Sequence, residues 1–362
     1  MSQLTMHVTN NLHSGGAERL LTNLVTQQSS AGRACVVCLH AEGEFRPTLE
    51  AAGVEVIGLG VKHRREAPGG LLRFARLMRR RRPAVVQGWM YHANVFASLA
   101  LGLAGLRGTR LVWGIYNSDI YGNQSTRRNL GGLGRLLSPH VYGVVYNAEQ
   151  ARDFHRSFGF REPRSLVIPN CLDTRKFRRD QALRAPVRRE LGVPDDAVLV
   201  MAVARVHPMK DWAGMLEAIR DIPCVVTVGV GKGTDELPRQ PNFIGLGWRE
   251  DVQHLLSAAD VFLLASAFGE GTSVALAEAM SCGLPSVVTD VGGNGTFVGE
   301  AGIVVPPRQP TAVRAALLRL ARDARLRERM GRAGVERVSA GYSADEVAAM
   351  LEVFTRSDVG DA

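Results

Sequence analysis

The sequence predicts an α/β protein built of two Rossmann-like, doubly wound domains facing a central cleft. Three observations carry that expectation. Short apolar runs alternate with helical patterns from end to end, which is the rhythm of βαβ units and a parallel sheet. A polar, proline-bearing stretch interrupts the rhythm once, and the rhythm then restarts. A chain of 362 residues with 46% hydrophobic and 22% charged content suits two cores rather than one.

In the first series "TMHVTN" predicts a strand before a helix from Ala17, "ACVVCLH" a strand before a helix near Phe45, and "VEVIGLG" a strand before a helix over Leu71–Arg81. "AVVQGW" leads to a helix over Val95–Leu103, "RLVWGIY" is a further strand, and "VYGVVYN" precedes a helix over Glu149–Phe158. The stretch "SLVIPNCLDTRKFRRDQALRAPVRRELGVPDDA" reads as the connection, placing an N-terminal domain at 1–170 and a C-terminal domain at 171–340. The second series is "VLVMAVARV", "CVVTVGVG", "NFIGLG", "VFLLASA", "PSVVTD" and "AGIVVPP", each but the last followed by a turn or helix. Residues 341–362 carry "YSADEVAAMLEVFTRS", an amphipathic pattern for a helix that crosses back to the N-terminal domain.

Composition excludes several functions. No run of about eighteen apolar residues is present to span a bilayer, and "MSQLTMHVTNNLHSGG" lacks the basic start and apolar stretch of a secretory signal, so a cytoplasmic protein is expected. Five cysteines, an odd number, do not make a disulfide framework, and Cys35 and Cys38 lie inside a strand-like run rather than opening a helix. Residues 1–180 carry 25 Lys plus Arg against 12 Asp plus Glu, net +13, while the remainder carries 19 against 23, net −4. The densest basic stretch, "LLRFARLMRRRRP", sets Arg73, Arg76 and Arg79 to Arg82 against an apolar stripe. Two readings are open for it, a solvated helix face or attraction to an anionic membrane surface on the inner face of the membrane. Nucleic acid is not an expected partner, since no helix-turn-helix, zinc-ligand or aromatic stacking pattern accompanies the charge.

The chemistry concentrates in "FGEGTSVALAEAMSCGLP", residues 268–285. Thr272 or Ser273 is placed to cap a nine-residue helix from Val274, which Gly283 and Pro285 end. Its first N–H groups, from Thr272 to Ala275, make an anion site suited to phosphate. The helix is apolar except for Glu278, and Glu270 with Gly271 stands just ahead of the cap. A carboxylate there can accept hydrogen bonds from a vicinal diol such as a ribose, or pair with an arginine from elsewhere; the pattern leaves both open. In "AVARVHPMKDW", Arg205 and Lys210 flank a loop and can converge on a diphosphate, one as a fork and one as a point charge. Gly15 and Gly16 join the first strand to the first helix, where glycine allows positive φ and close approach of a ligand. They do not form G-x-G-x-x-G.

Together "SGGAERLLTNL", "QGWMYHAN", "VIPNCLD", "ARVHPMKDW" and "FGEGTSVALAEAMSCGLPSVVTDVGGN" resemble the retaining glycosyltransferases of family four, of GT-B fold, along nearly the whole chain. The resemblance implies transfer of a sugar from a nucleoside diphosphate sugar, UDP or GDP, to an acceptor hydroxyl with retained anomeric configuration. It implies Glu278 on the nucleotide ribose and Glu270 beside the donor sugar, as catalytic residue. Arg205 and Lys210 fall on the diphosphate, Gly271, Thr272 and Ser273 at the same phosphate-binding turn, and Gly15 and Gly16 against the donor from the other domain. No cofactor and no metal are implied, and no DxD-type motif follows a strand.

His92 and Asn117 close two first-domain strands on the edge where an acceptor is expected. Many relatives place a histidine where Asn117 stands, so His92 is the candidate for orienting the acceptor hydroxyl. Cys171 stands where glycine usually follows "PN", and no role attaches to it. The expected acceptor is a saccharide or a lipid-linked saccharide in surface polysaccharide or glycoconjugate assembly. Alternatives are a soluble natural-product acceptor and a non-catalytic nucleotide-sugar-binding module.

Overall fold

The computed structural model describes residues 4–13, 15–29, 34–118, 124–168, 172–340 and 344–356. The chain divides into two compact units, Met1–Cys171 together with Ala344–Ala362, and Leu172–Ser343.

The first unit runs β1 (Thr5–Thr9), α1 (Gly16–Ser29), β2 (Ala34–Cys38), α2 (Arg46–Ala51), β3 (Glu55–Gly58), α3 (Ala67–Arg81), β4 (Val85–Trp89), α4 (Met90–Ala104), β5 (Arg110–Ile115), α5 (Gln124–Leu137), β6 (Gly143–Tyr146), α6 (Glu149–Ser157) and β7 (Ser165–Val167). Its strands form one parallel sheet in the order β3-β2-β1-β4-β5-β6-β7. Alternate residues of β2 enter different cores. Cys35 and Val37 pack with Phe74, Met78 and Ala97, while Val36 and Cys38 pack with Leu21, Leu24 and Leu49. That two-sided burial is why its sequence is a continuous apolar run rather than an alternating one.

The second unit runs α7 (Arg184–Glu190), β8 (Val198–Val203), α8 (Trp212–Ile219), β9 (Val225–Val230), β10 (Phe243–Gly245), α9 (Val252–Ala258), β11 (Val261–Leu264), α10 (Val274–Ser281), β12 (Ser286–Thr289), α11 (Asn294–Val298), β13 (Gly302–Val305), α12 (Pro310–Arg322) and α13 (Ala324–Ser339). Its parallel sheet has the order β10-β9-β8-β11-β12-β13. Here too β8 splits its side chains, Leu199 and Met201 to one core, Val200 and Ala202 to the other. The last helix, α14 (Ala344–Arg356), packs on α1, with Val347, Leu351 and Phe354 in the first unit's core.

Four expectations need correction. The charged connection is not featureless: it contains β7 and α7. A three-residue strand carries too little pattern to read, and the apolar stripe Leu183, Val187, Leu191 is masked by arginines, of which Arg188 is itself buried, bridging Asp260 at 3.1 Å and the Pro194 carbonyl at 2.7 Å. Helix α3 starts at Ala67, before Leu71, because Pro68 suits a first turn and Gly70 is buried beside Val61. Helix α4 starts at Met90, before Val95. Strand turns to helix there in a single residue, Met90 at φ 68, and a Cβ on Gly88 would lie 2.4 Å from Asn94 Oδ1, so only glycine lets the helix fold back this closely. Two helices, α12 and α13, follow the strand "AGIVVPP".

Candidate active site

In each sheet the strand order reverses direction at one place, between β1 and β4 and between β8 and β11. Such a switch point leaves a crevice beyond the carboxyl ends of the two strands, where ligands of open α/β sheets bind. The candidate residues follow these four strands.

After β8 the chain turns into one 3-10 turn at Pro208–Lys210, closed by Asp211 in the left-handed region at φ 47. The Asp211 carboxylate accepts the Gly214 N–H at 3.2 Å and caps α8, and Trp212 Nε1 donates to the Arg205 carbonyl at 3.1 Å. The loop is thereby pinned at both ends. It meets the loop after β11, where the Ala267 N–H donates to the Met209 carbonyl at 2.8 Å. Lys210 Nζ pairs with Glu270 Oε1, and Ser266 Oγ donates to the same oxygen at 2.5 Å. Thr289, ending β12, fixes Ser266 through its carbonyl at 2.6 Å. Both charged side chains are shielded, 13% exposed for Lys210 and 8% for Glu270. Losing either would strand the other's charge out of water.

The Glu270 loop is shaped by its neighbour after β12. Gly292 sits at φ +59, and a Cβ there would lie 1.8 Å from the Glu270 carbonyl oxygen. The Gly293 N–H donates to the Gly271 carbonyl at 2.9 Å, and Asn294 Oδ1 accepts the Ser273 N–H at 3.0 Å. Ser273 takes the N-cap backbone position of α10 but makes no side-chain cap bond, contrary to expectation. The entrance is held by the neighbouring loop instead, and the first-turn N–H groups of Val274 to Leu276 have no intrahelical partner. Helix α10 is eight residues long, one fewer than expected. It ends in a Schellman motif, with Leu284 N–H on the Ala279 carbonyl at 3.0 Å, Gly283 N–H on Met280 at 2.9 Å, and Gly283 at φ 70. Glu278 in its middle is 2% exposed. Burial and then the charge of Glu278 push the Cys282 thiol up to about 12. Thr272 and Ser273, ahead of the helix, are buried as well.

Arg205 is exposed and makes no side-chain hydrogen bond or ion pair among the described residues. His207, which the sequence reading did not single out, accepts the Met209 N–H on Nδ1 at 3.2 Å. Partial burial, then Arg205 and Lys210, hold its pKa below the usual histidine value. The neutral ring therefore carries its proton on Nε2. Ser266 and Asn294 were also missed. Asn294 Oδ1 is used, but its buried Nδ2 has no partner among the described residues.

The first unit places its candidates at its own switch point, Gly15 and Gly16 after β1 and His92 after β4. Gly15 is the residue before α1, its carbonyl accepting Arg19 N–H at 3.0 Å, and Gly16 begins the helix. Neither has positive φ, so the conformational reason for glycine falls away. His92 does not close a strand: it lies in the first turn of α4, exposed, its pKa lowered by partial desolvation and then by Arg64. Asn117 follows β5, and Cys171 lies outside the described residues. Cys35 and Cys38 are buried and free, their thiols pushed up by burial to about 11 and about 12, so neither offers a thiolate. Among the described residues no group of three or more His, Cys, Asp or Glu could hold a metal ion.

Residues 14–176 match the sequence profile described as Glycosyltransferase Family 4, and residues 197–323 that of Glycosyl transferases group 1. The chain belongs to the family-four glycosyltransferases. This family-four chain is 26% identical over 359 residues to the lipopolysaccharide core biosynthesis glycosyltransferase LpsD of Rhizobium meliloti, covering 94% of this chain and 95% of that one. It is 34% identical over 206 residues to a D-inositol 3-phosphate glycosyltransferase of Geodermatophilus obscurus, 49% of this chain and 45% of that protein. The match therefore spans about half the length of that relative. The crystal structure of Anabaena HepE in complex with UDP-glucose has the same fold, TM-score 0.86 at 18% identity over 97% of this chain and 98% of that one. The GT-B class expected of the family-four chain is thus its fold.

Proposed function

We propose that this chain transfers a sugar from a nucleoside diphosphate sugar, UDP first and GDP second, to an acceptor hydroxyl, with retention and without a metal ion. The observation that carries the reading is the meeting of Lys210 and Glu270 beside the α10 N-terminus at the β8/β11 switch point. A diphosphate arriving there competes with Glu270 for Lys210 and adds Arg205, whose guanidinium has no other partner among the described residues. The α10 first-turn amides supply a third source of positive potential. These groups meet the charge that develops on the departing nucleoside diphosphate, and they are fixed before the reaction begins. Glu270 stays anchored by Ser266 as Lys210 leaves it, and turns to hydroxyls of the donor sugar. Glu278 accepts from the ribose diol, and His92, neutral at pH 7, orients the acceptor hydroxyl.

Two likenesses support the substrate classes. HepE was solved with UDP-glucose, and LpsD is named for lipopolysaccharide core biosynthesis. The acceptor proposed here is a saccharide or lipid-linked saccharide of surface polysaccharide or glycoconjugate assembly, reached from the cytoplasmic side of the membrane. The test is calorimetry with UDP and GDP, NAD as control, in the absence of metal, on the native chain and on Glu278→Ala. One nucleoside diphosphate binds, and the substitution weakens it about tenfold or more, as loss of one charged hydrogen bond does. Binding of neither nucleotide, or equal binding by the variant, removes the reading.

A further inference from the structure

Helices α3, α4 and α5 lie side by side over one face of the first sheet, α4 packing against α3 on one side and α5 on the other. Their inner sides fill the core with Phe74, Met78, Ala97 and Ala100. Their outer sides are unusual for a water-exposed surface. All five exposed leucines among the described residues are on these helices: Leu72 on α3, Leu99 and Leu103 on α4, Leu133 and Leu136 on α5. Leu136 is 65% exposed, the others 39–48%. Exposed leucines scattered singly mean little, but a group of them on adjacent elements marks a contact surface.

Charge says what the contact is with. Between residues 67 and 148 the sequence holds eleven arginines, six within Arg73–Arg82 and five between Arg107 and Arg135, no lysine, and one acidic residue, Asp119. Several arginines of α3 are committed to the fold. Arg73 binds the Leu59 carbonyl, Arg81 forks onto Glu55 at 2.8 and 2.6 Å, and Arg79 ties α3 to the end of α4 through the Ala104 carbonyl at 3.0 Å. Arg76, Arg80 and Arg82 are exposed, and their side chains make no hydrogen bond or ion pair among the described residues. Leu72, Arg76 and Arg80 follow one another at one-turn spacing along a single side of α3.

We infer that the α3–α4–α5 face seats on an anionic phospholipid leaflet, arginines against headgroups and leucines in the headgroup–acyl boundary. A two-fold contact between copies of this face would oppose arginine to arginine with no carboxylate between them. An anionic leaflet offers the opposite charge over a flat area and takes up half-exposed leucines. Among the described residues no helix is long and apolar enough to cross a membrane, so attachment is at the surface. Helix α4 carries His92 in its first turn and Leu99 and Leu103 further along, so the helix that touches lipid also carries the residue proposed to hold the acceptor. The inference deepens the lipid-linked acceptor of the proposed function, yet its test involves no transfer and can fail or succeed apart from that reading.

The test is co-sedimentation of the full chain with vesicles of phosphatidylcholine containing phosphatidylglycerol and with vesicles of phosphatidylcholine alone. Binding is expected to the first only, and to weaken as salt rises. Arg76→Gln with Arg80→Gln weakens partition about 25-fold, fivefold for each charge. Leu133→Ser with Leu136→Ser weakens it about tenfold or more. Met350→Ser on α14, an exposed residue of a different helix, changes nothing. All variants keep the native unfolding temperature, since each site is exposed. Equal binding to both vesicle types, no binding to either, or indifference to both paired substitutions overturns the inference. So does a lipid-free dimer that the leucine pair dissociates, which would assign the face to a second copy.

Discussion

The two units are built on one topological plan and furnish it in opposite ways. Each sheet grows outward from its first strand, returns, and grows the other way, leaving a switch point between β1 and β4 in one and between β8 and β11 in the other. In the second unit that point is crowded with interlocked polar groups: Lys210 on Glu270, Ser266 on Glu270, Thr289 on Ser266. In the first, the candidates among the described residues are Gly15, Gly16 and an exposed His92, while basic side chains line the backs of its helices. The difference teaches that the fold supplies an address and the side chains decide its use. A concentrated network suits a small charged ligand; a diffuse basic face suits something large.

The sharpest way to break that contrast is to delete one charge from each arrangement. Lys210→Ala is expected to lower kcat by about 10²–10³, or about 3 kcal/mol, because a fixed electrostatic contact is lost where charge develops. Arg80→Gln, one of many like charges on an open face, leaves kcat with a soluble acceptor analogue unchanged. Steady-state kinetics of the two variants decides; equal effects would end the distinction. Next in size, Gly292→Ala places a methyl where the Glu270 carbonyl stands, in a backbone region alanine avoids. About 2 kcal/mol of stability is expected to go, read from urea unfolding, and kcat falls with it since the Glu270 loop must shift. An alanine variant of native stability would show the loop to be pliable.

The smallest effect is one the units share. His207 and His92 both have pKa values lowered by desolvation and neighbouring cations, so the folded chain disfavours their charged forms. Above about pH 6.5 neither costs stability; as pH falls from there, the unfolded chain takes up protons first and stability drops until the folded-state pKa is passed. Titration of the imidazole resonances by NMR is expected to place both midpoints below 6.5, and a midpoint above it contradicts the electrostatics at that site.

Much of this is legible in the sequence alone. Strands buried on both sides announce themselves as apolar runs, and the sequence around Glu270 and Glu278 names its family because so many of its positions are constrained at once. What escaped were residues whose importance lies only in whom they meet. Ser266 is an ordinary small residue at a strand end until Glu270 folds back on it. Asn294 is one more loop asparagine until its oxygen takes the Ser273 N–H and relieves Ser273 of capping. The start of α4 was misplaced because helix propensity says nothing of Met90 at φ 68 or of Asn94 tucked over Gly88. The exposure of five leucines could not be seen either, since hydropathy alone does not tell which side of a helix faces its neighbours.

The placement of α14 has a consequence for anyone who would rebuild the molecule. The chain leaves the first unit at Cys171 and rejoins it at Ala344, so the second unit is an insertion within the first rather than an appendix to it. A chimera that exchanges the second unit has two seams, not one. A graft that carries the tail along with the wrong half would strip Val347, Leu351 and Phe354 from a hydrophobic seat beside α1 and leave that seat open to water.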